Sequence, residues 1–177
     1  ANMVLVSKES GGLTDGWDVL LDSAAITFRY RNTSNDVPTA VSATPLQAST
    51  WYHVAVVFEN STANTHNVYI YINGIPVNTT STLGSMDDTV GHLVLGQRND
   101  GGLSYFDGTL DELHIYDRVL TAAEVMHNYR SGAHGIEYWN YRKGDEVVAS
   151  FLPLDPYLYT YVPFDEGEGT KAFYMPR

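Results

Sequence analysis

The feature that most constrains this chain is an apolar–polar alternation of period two. Ile26, Phe28 and Tyr30 alternate with Thr27, Arg29 and Arg31. That spacing places one set of side chains on each face of a strand and argues against a helix. Val68, Ile70 and Ile72 alternate in the same way with Tyr69 and Tyr71, and Asn73-Gly74 follows at once. Asn-Gly suits a type I′ turn, which needs positive φ at both central residues, so a hairpin is expected there. Pro76 lacks an N–H, so the strand after the turn is expected at a sheet edge. Further strands are expected at Trp17–Leu21, Trp51–Phe58, His92–Gly96 and Asp111–Tyr116, with Trp51 in the core.

One helix stands out, at Thr121 to about Tyr129. Thr121-Ala122-Ala123-Glu124 reads as a capping box, Leu120 and Val125 as its hydrophobic staple, and Gly132 as the residue just beyond its end. Many strands and one short helix indicate an all-β, antiparallel β-sandwich. The sandwich is expected over residues 1–132. Residues 133–177 read as a strand-forming extension that completes this sandwich or a neighbouring one. In the extension, Tyr157, Tyr159 and Tyr161 fall on one face of a strand and Leu158, Val162 and Phe164 on the other. Those tyrosines, with Val162 and Phe164, are the expected interface.

Composition narrows the function. Twenty-one acids against 10 bases give a net charge of −11, which repels phosphate backbones and speaks against a nucleic-acid partner. No apolar run is long enough to insert in a bilayer. The chain has no cysteine, which removes disulfide scaffolds, thiol catalysis and Cys-type zinc sites. Ala1 to Val6 has neither the basic nor the long apolar region of a secretion signal, so the chain reads as mature, cytoplasmic or a fragment of something longer. The acidic, Tyr-, Thr- and Asn-rich composition leans towards an extracellular or cell-surface location.

Trp51-Tyr52-His53-Val54-Ala55, Tyr71-Ile72-Asn73-Gly74, Leu93-Val94-Leu95-Gly96, Phe106-Asp107-Gly108-Thr109-Leu110-Asp111-Glu112 and Leu120-Thr121-Ala122-Ala123-Glu124 follow one another in order. This succession resembles the laminin-G-like domains of the concanavalin A-like lectin/glucanase superfamily over roughly Val4 to Gly132. The resemblance implies a jelly-roll sandwich with the helix plugging one end. Such domains usually open with a strand that has no counterpart ahead of Val4, whereas Tyr161 to Thr170 resembles that opening.

The resemblance also brings candidate chemistry. Related glucanases carry E-x-D-x-x-E on one strand. This pattern is absent, and Asp111-Glu112 are adjacent, hence on opposite faces of a strand. A non-enzymatic role is expected. Some relatives hold a structural calcium ion, and by resemblance Asp111 and Asp165 are the ligands, as hard oxygen donors would suit Ca²⁺. Solvated acids or turn caps account for the same residues. Three sequons, at Asn32, Asn60 and Asn78, lie in expected loops where a glycan can attach. The expected function is a structural or adhesive extracellular subunit, of a fibre or a multi-domain surface protein, partnered by its own copies or neighbouring domains. The alternative is a lectin-like, calcium-dependent carbohydrate-binding module.

Overall fold

The computed structural model describes residues 2–11, 13–60, 65–87, 90–98, 104–133, 141–143, 146–148 and 158–162. The chain forms two compact units, Ala1–Gly108 with Val119–Trp139, and Thr109–Arg118 with Asn140–Arg177.

The first unit contains two antiparallel sheets. Strands β1 (Met3–Lys8), β2 (Trp17–Asp22), β3 (Ala25–Tyr30), β4 (Thr39–Val41) and β8 (Leu93–Leu95) make a five-stranded sheet in the order β4-β3-β2-β1-β8. Strands β5 (Val54–Asn60), β6 (Thr65–Ile72) and β7 (Ile75–Leu83) make a three-stranded sheet in chain order. The alternation read from the sequence sets which face is buried. Ile26, Phe28 and Tyr30 of β3 pack with Val68, Ile70 and Ile72 of β6, so the apolar layer lies between the sheets. Aromatic rings join the layers: Tyr30 meets Phe58 edge-on at 5.2 Å, and Phe28 lies 6.3 Å from Phe58. Burying one such ring stabilises by about 2 kcal/mol. The Tyr30 hydroxyl, inside this layer, reaches Thr82 Oγ1 at 2.8 Å, so its polar tip is not left bare.

The Asn73-Gly74 turn has φ of 52° and 75°, the pair of positive values a type I′ turn requires. Pro76 lies on β7, an edge strand, where the register shifts between Ile70 and Tyr71 and the missing N–H removes no central ladder bond. The edge strands of the two sheets are linked where Asn78 Nδ2 of β7 donates to the Val41 carbonyl of β4 at 2.6 Å.

Helix α1 (Ala122–Ala133) outruns its expected end, and Gly132 lies within it. Its capping box forms: Thr121 N donates to Glu124 Oε2 at 2.7 Å, and Glu124 N donates back to Thr121 Oγ1 at 3.3 Å. The helix does not plug one end. Val125, fully buried, packs on Val57 and Tyr71, which point away from the interior of the three-stranded sheet. The physical reason is that the second face of β5 and β6 is itself apolar at Ala55, Val57 and Tyr71 and needs a cover.

Two further expectations are corrected. Trp51 is 66% exposed, because β5 begins only at Val54; Tyr52 packs against the core instead, its hydroxyl accepting from Gln47 N at 3.0 Å. Asp111 and Glu112 precede the strand they were expected to open: β9 is Leu113–Tyr116, and Glu112 sits at φ 53°, outside strand geometry.

The second unit is built from β9, β10 (Tyr141–Lys143), β11 (Glu146–Val148) and β12 (Leu158–Val162). β10 and β11 pair as a hairpin. β12 lies antiparallel to β9, with Leu158 opposite Tyr116, Thr160 opposite Ile115, Tyr161 opposite His114 and Val162 opposite Leu113.

Candidate functional site

The richest chemistry among the described residues lies on the face of the five-stranded sheet that does not meet β6. Cross-strand pairing puts Ser7 opposite Asp18, and Asp18 opposite Arg29, so three polar side chains form a row across β1, β2 and β3. Asp18 is 0% exposed and holds Arg29 as a fork: Arg29 Nε donates to Oδ1 at 2.9 Å and Nη2 to Oδ2. Arg29 is held above its ordinary pKa, first by this hydrogen bond and against the opposing effect of burial. Ser7 Oγ donates to the Gln97 carbonyl at 3.2 Å.

Glu9, also 0% exposed, continues the row. Its Oε1 meets Arg98 Nε at 3.3 Å, and its Oε2 accepts from Leu13 N. Leu13 takes a positive φ of 55°, and Arg31 Nε donates to its carbonyl at 2.9 Å. Each buried carboxylate thus has its own guanidinium. A glycosidase needs one acid free to give a proton and a second free to attack or activate water. Asp18 and Glu9 are committed to arginines, so this row is suited to holding strands in register, not to proton transfer.

A second polar row crosses the three-stranded sheet on the face that α1 partly covers. Ser81 Oγ donates to Asn67 Oδ1 at 3.0 Å, Asn67 Nδ2 donates to Glu59 Oε2 at 3.2 Å, and Tyr69 OH donates to the same oxygen at 2.9 Å. Hydroxyl, amide, carboxylate and ring therefore lie along one flat face with their hydrogen bonds fixed.

The Asp111 carboxylate is exposed and accepts the Glu112 amide at 2.9 Å, which is a turn cap; Asp165 lies outside the described residues. Among the described residues, no three His, Asp or Glu side chains converge as metal ligands. Asn32 is only 2% exposed, and its Oδ1 accepts from Ser34 N at 3.0 Å and Asp36 N at 2.8 Å. Its amide stands against Gly84, so Asn32 organises a turn. Asn78 Nδ2 is engaged with Val41 and Thr80. Asn60 is exposed at the end of β5. Tyr159, Tyr161 and Val162 fall in β12, whereas Tyr157 and Phe164 lie outside the described residues. Tyr30 and Trp17 pack in the core, whereas Tyr105 is exposed.

Both polar rows escaped the sequence reading. The available signal was a charge within a strand, Asp18 between Trp17 and Val19 and Arg29 between Phe28 and Tyr30, of opposite sign at facing positions.

Within β9, His114 Nε2 stands 3.7 Å from Glu112 Oε2, and burial draws the imidazole below its usual pKa despite that carboxylate.

Two antiparallel sheets around one apolar layer, with a helix laid on the smaller sheet, define a lectin-like β-sandwich. The chain belongs to the concanavalin A-like lectin/glucanases superfamily, whose laminin-G model matches residues 1–126. No curated protein sequence matches it. Among solved structures, an S-layer domain-containing protein from Clostridium thermocellum is similar at 23% identity, with a TM-score of 0.33. The alignment covers 72% of this chain and 62% of that one.

Proposed function

We propose that this chain is a non-enzymatic extracellular module of structural or adhesive role, joined to its neighbours through residues 133–177. The observation that carries this reading is the ladder between β9 and β12: the extension supplies a strand and does not merely trail. The pairing of both buried carboxylates with arginines supports the absence of catalysis. Superfamily membership and the acidic surface fit a location outside the cell. Removing Tyr157–Arg177 is expected to leave insoluble or monomeric protein, read by sedimentation velocity and negative-stain microscopy. A truncated chain that stays soluble and assembles like the full one sinks the reading.

A second reading, a lectin-like carbohydrate-binding module with calcium dependence as its variable, has the Ser81–Asn67–Glu59–Tyr69 row in its favour as a polar face for a glycan. A glycan array probed with and without chelator tests it. Loss of signal in Tyr69→Ala would support it, and no signal in either condition removes it.

A further inference from the structure

We infer that the row formed by Glu59, Asn67 and Ser81 binds a neutral, hydroxyl-rich glycan whose hydroxyls donate to Glu59 Oε1 and Ser81 Oγ. The inference rests on the carbohydrate-binding reading, and it names the contacting atoms and the class of sugar.

The strand register builds the row. Glu59 lies directly opposite Asn67, and Asn67 directly opposite Ser81, so the three side chains share one face of β5, β6 and β7. Neighbouring strands stand about 4.8 Å apart, which makes the row about 10 Å long. Asn67 is its hub. It donates to Glu59 Oε2 at 3.2 Å and accepts from Ser81 Oγ at 3.0 Å, so its amide cannot turn over without breaking both bonds. Tyr69 bounds the row on the side nearest α1. Its ring packs against the Val57, Tyr71 and Val125 cluster, and its hydroxyl donates to Glu59 Oε2 at 2.9 Å. That bond, ahead of burial, raises the phenol above its ordinary pKa and keeps it a donor. Ser81 is exposed, whereas Glu59, Asn67 and Tyr69 are half-buried. The row is a ledge that solvent reaches.

Hydrogen-bond polarity selects the ligand. The hydroxyl protons of Ser81 and Tyr69 and an amide N–H of Asn67 are spent inside the row. Among the described residues, both bonds to Glu59 end on Oε2 and none on Oε1. A carboxylate has about four lone-pair sites, and the Ser81 oxygen also keeps lone pairs. What the row presents outward is therefore acceptors, and it calls for a ligand that donates. Neighbouring hydroxyls of a sugar ring do this, each giving its proton to one acceptor. Sulfate, phosphate and carboxylate groups would instead bring negative charge and further acceptors to a carboxylate, on a chain of net charge −11. Glu59, Asn67 and Ser81 already hold one another, so little side-chain freedom is lost when a glycan binds. The Tyr69 ring offers the C–H face of the sugar an apolar wall.

The test places the full chain on a glycan array carrying neutral, amino, sialylated and sulfated sugars, then titrates the best neutral hit by calorimetry. Neutral glycans are expected to bind. Glu59→Gln keeps the shape but trades the charged acceptor for an amide, and should weaken binding at least about tenfold. Ser81→Ala should weaken it about threefold. Circular dichroism shows whether Glu59→Gln, which also loosens Tyr69, still folds. Ser81→Ala changes an exposed side chain and keeps the test decisive if it does not. Trp51, 66% exposed and ahead of the opposite end of β5, is the competing aromatic platform. Trp51→Ala should leave the affinity unchanged. Glycan binding that survives both Glu59→Gln and Ser81→Ala overturns the row as the site, and the carbohydrate-binding reading then stands on another face. A preference for sulfated, sialylated or amino sugars overturns the ligand class. Failure to bind any glycan removes the inference and that reading together.

Discussion

Two hairpins of the sandwich turn the chain through the same backbone geometry with very different residues. Between β6 and β7 the turn is Asn73-Gly74; between β2 and β3 it is Ser23-Ala24, at φ of 50° and 69°. Asn-Gly enters the left-handed region at little cost. Alanine there places its Cβ too close to the following carbonyl, which costs about 1 to 2 kcal/mol. The second turn is therefore imposed from outside. Ala24 O accepts from Leu46 N at 2.7 Å, Asp18 and Arg29 bridge the two strands, and Phe28 anchors β3 in the aromatic layer. One hairpin is specified by its turn, and the other by what its strands touch.

This contrast can be broken at its anchors. Phe28→Ala removes a buried ring that meets Trp17, Tyr30 and Phe58, and is expected to cost about 4 kcal/mol in denaturant unfolding. Asp18→Ala leaves Arg29 half-buried without its carboxylate and should cost about 3 kcal/mol, whereas Asp18→Leu with Arg29→Met should recover most of that loss. If Asp18→Ala is neutral, the bridge does not hold the hairpin.

The turns themselves give smaller, opposite effects. At Gly74 an added Cβ would stand 2.9 Å from Met126 Sδ and 3.2 Å from Met126 Cα, and φ is 75°. Gly74→Ala should thus destabilise by about 1 to 2 kcal/mol, seen as a lower Tm. Ala24→Gly relieves the strained conformation and should stabilise by about 0.5 to 1 kcal/mol, the part of the strain not offset by glycine's greater freedom in the unfolded chain. A destabilised Ala24→Gly variant would mean that the Ala24 methyl packs more usefully than its backbone is strained.

The same contrast explains what was legible beforehand. Asn73-Gly74, the capping box at Thr121 and the alternation through β3 and β6 are local signals, and each is present as read. The turn at Ser23-Ala24 carries no local signal, so only its flanking strands were visible. β4 is three residues long and β7 runs through the polar stretch Asn78–Thr82, where no apolar alternation marks it. Trp51 was misplaced because the strand starts three residues later than the apolar run, and Tyr52 packs against the core in its stead. Pairing between β9 and β12 depends on residues over forty positions apart, and the salt-bridged row depends on register between strands. Neither follows from a window of sequence.

β1 occupies an inner position in its sheet, hydrogen-bonded to β2 on one side and to β8 on the other, with a bulge between Val4 and Val6. Tension applied along this strand would load both ladders in shear, so their bonds must fail together instead of peeling singly. A fold clamped in this way resists pulling along β1 better than a strand peeled bond by bond from a sheet edge.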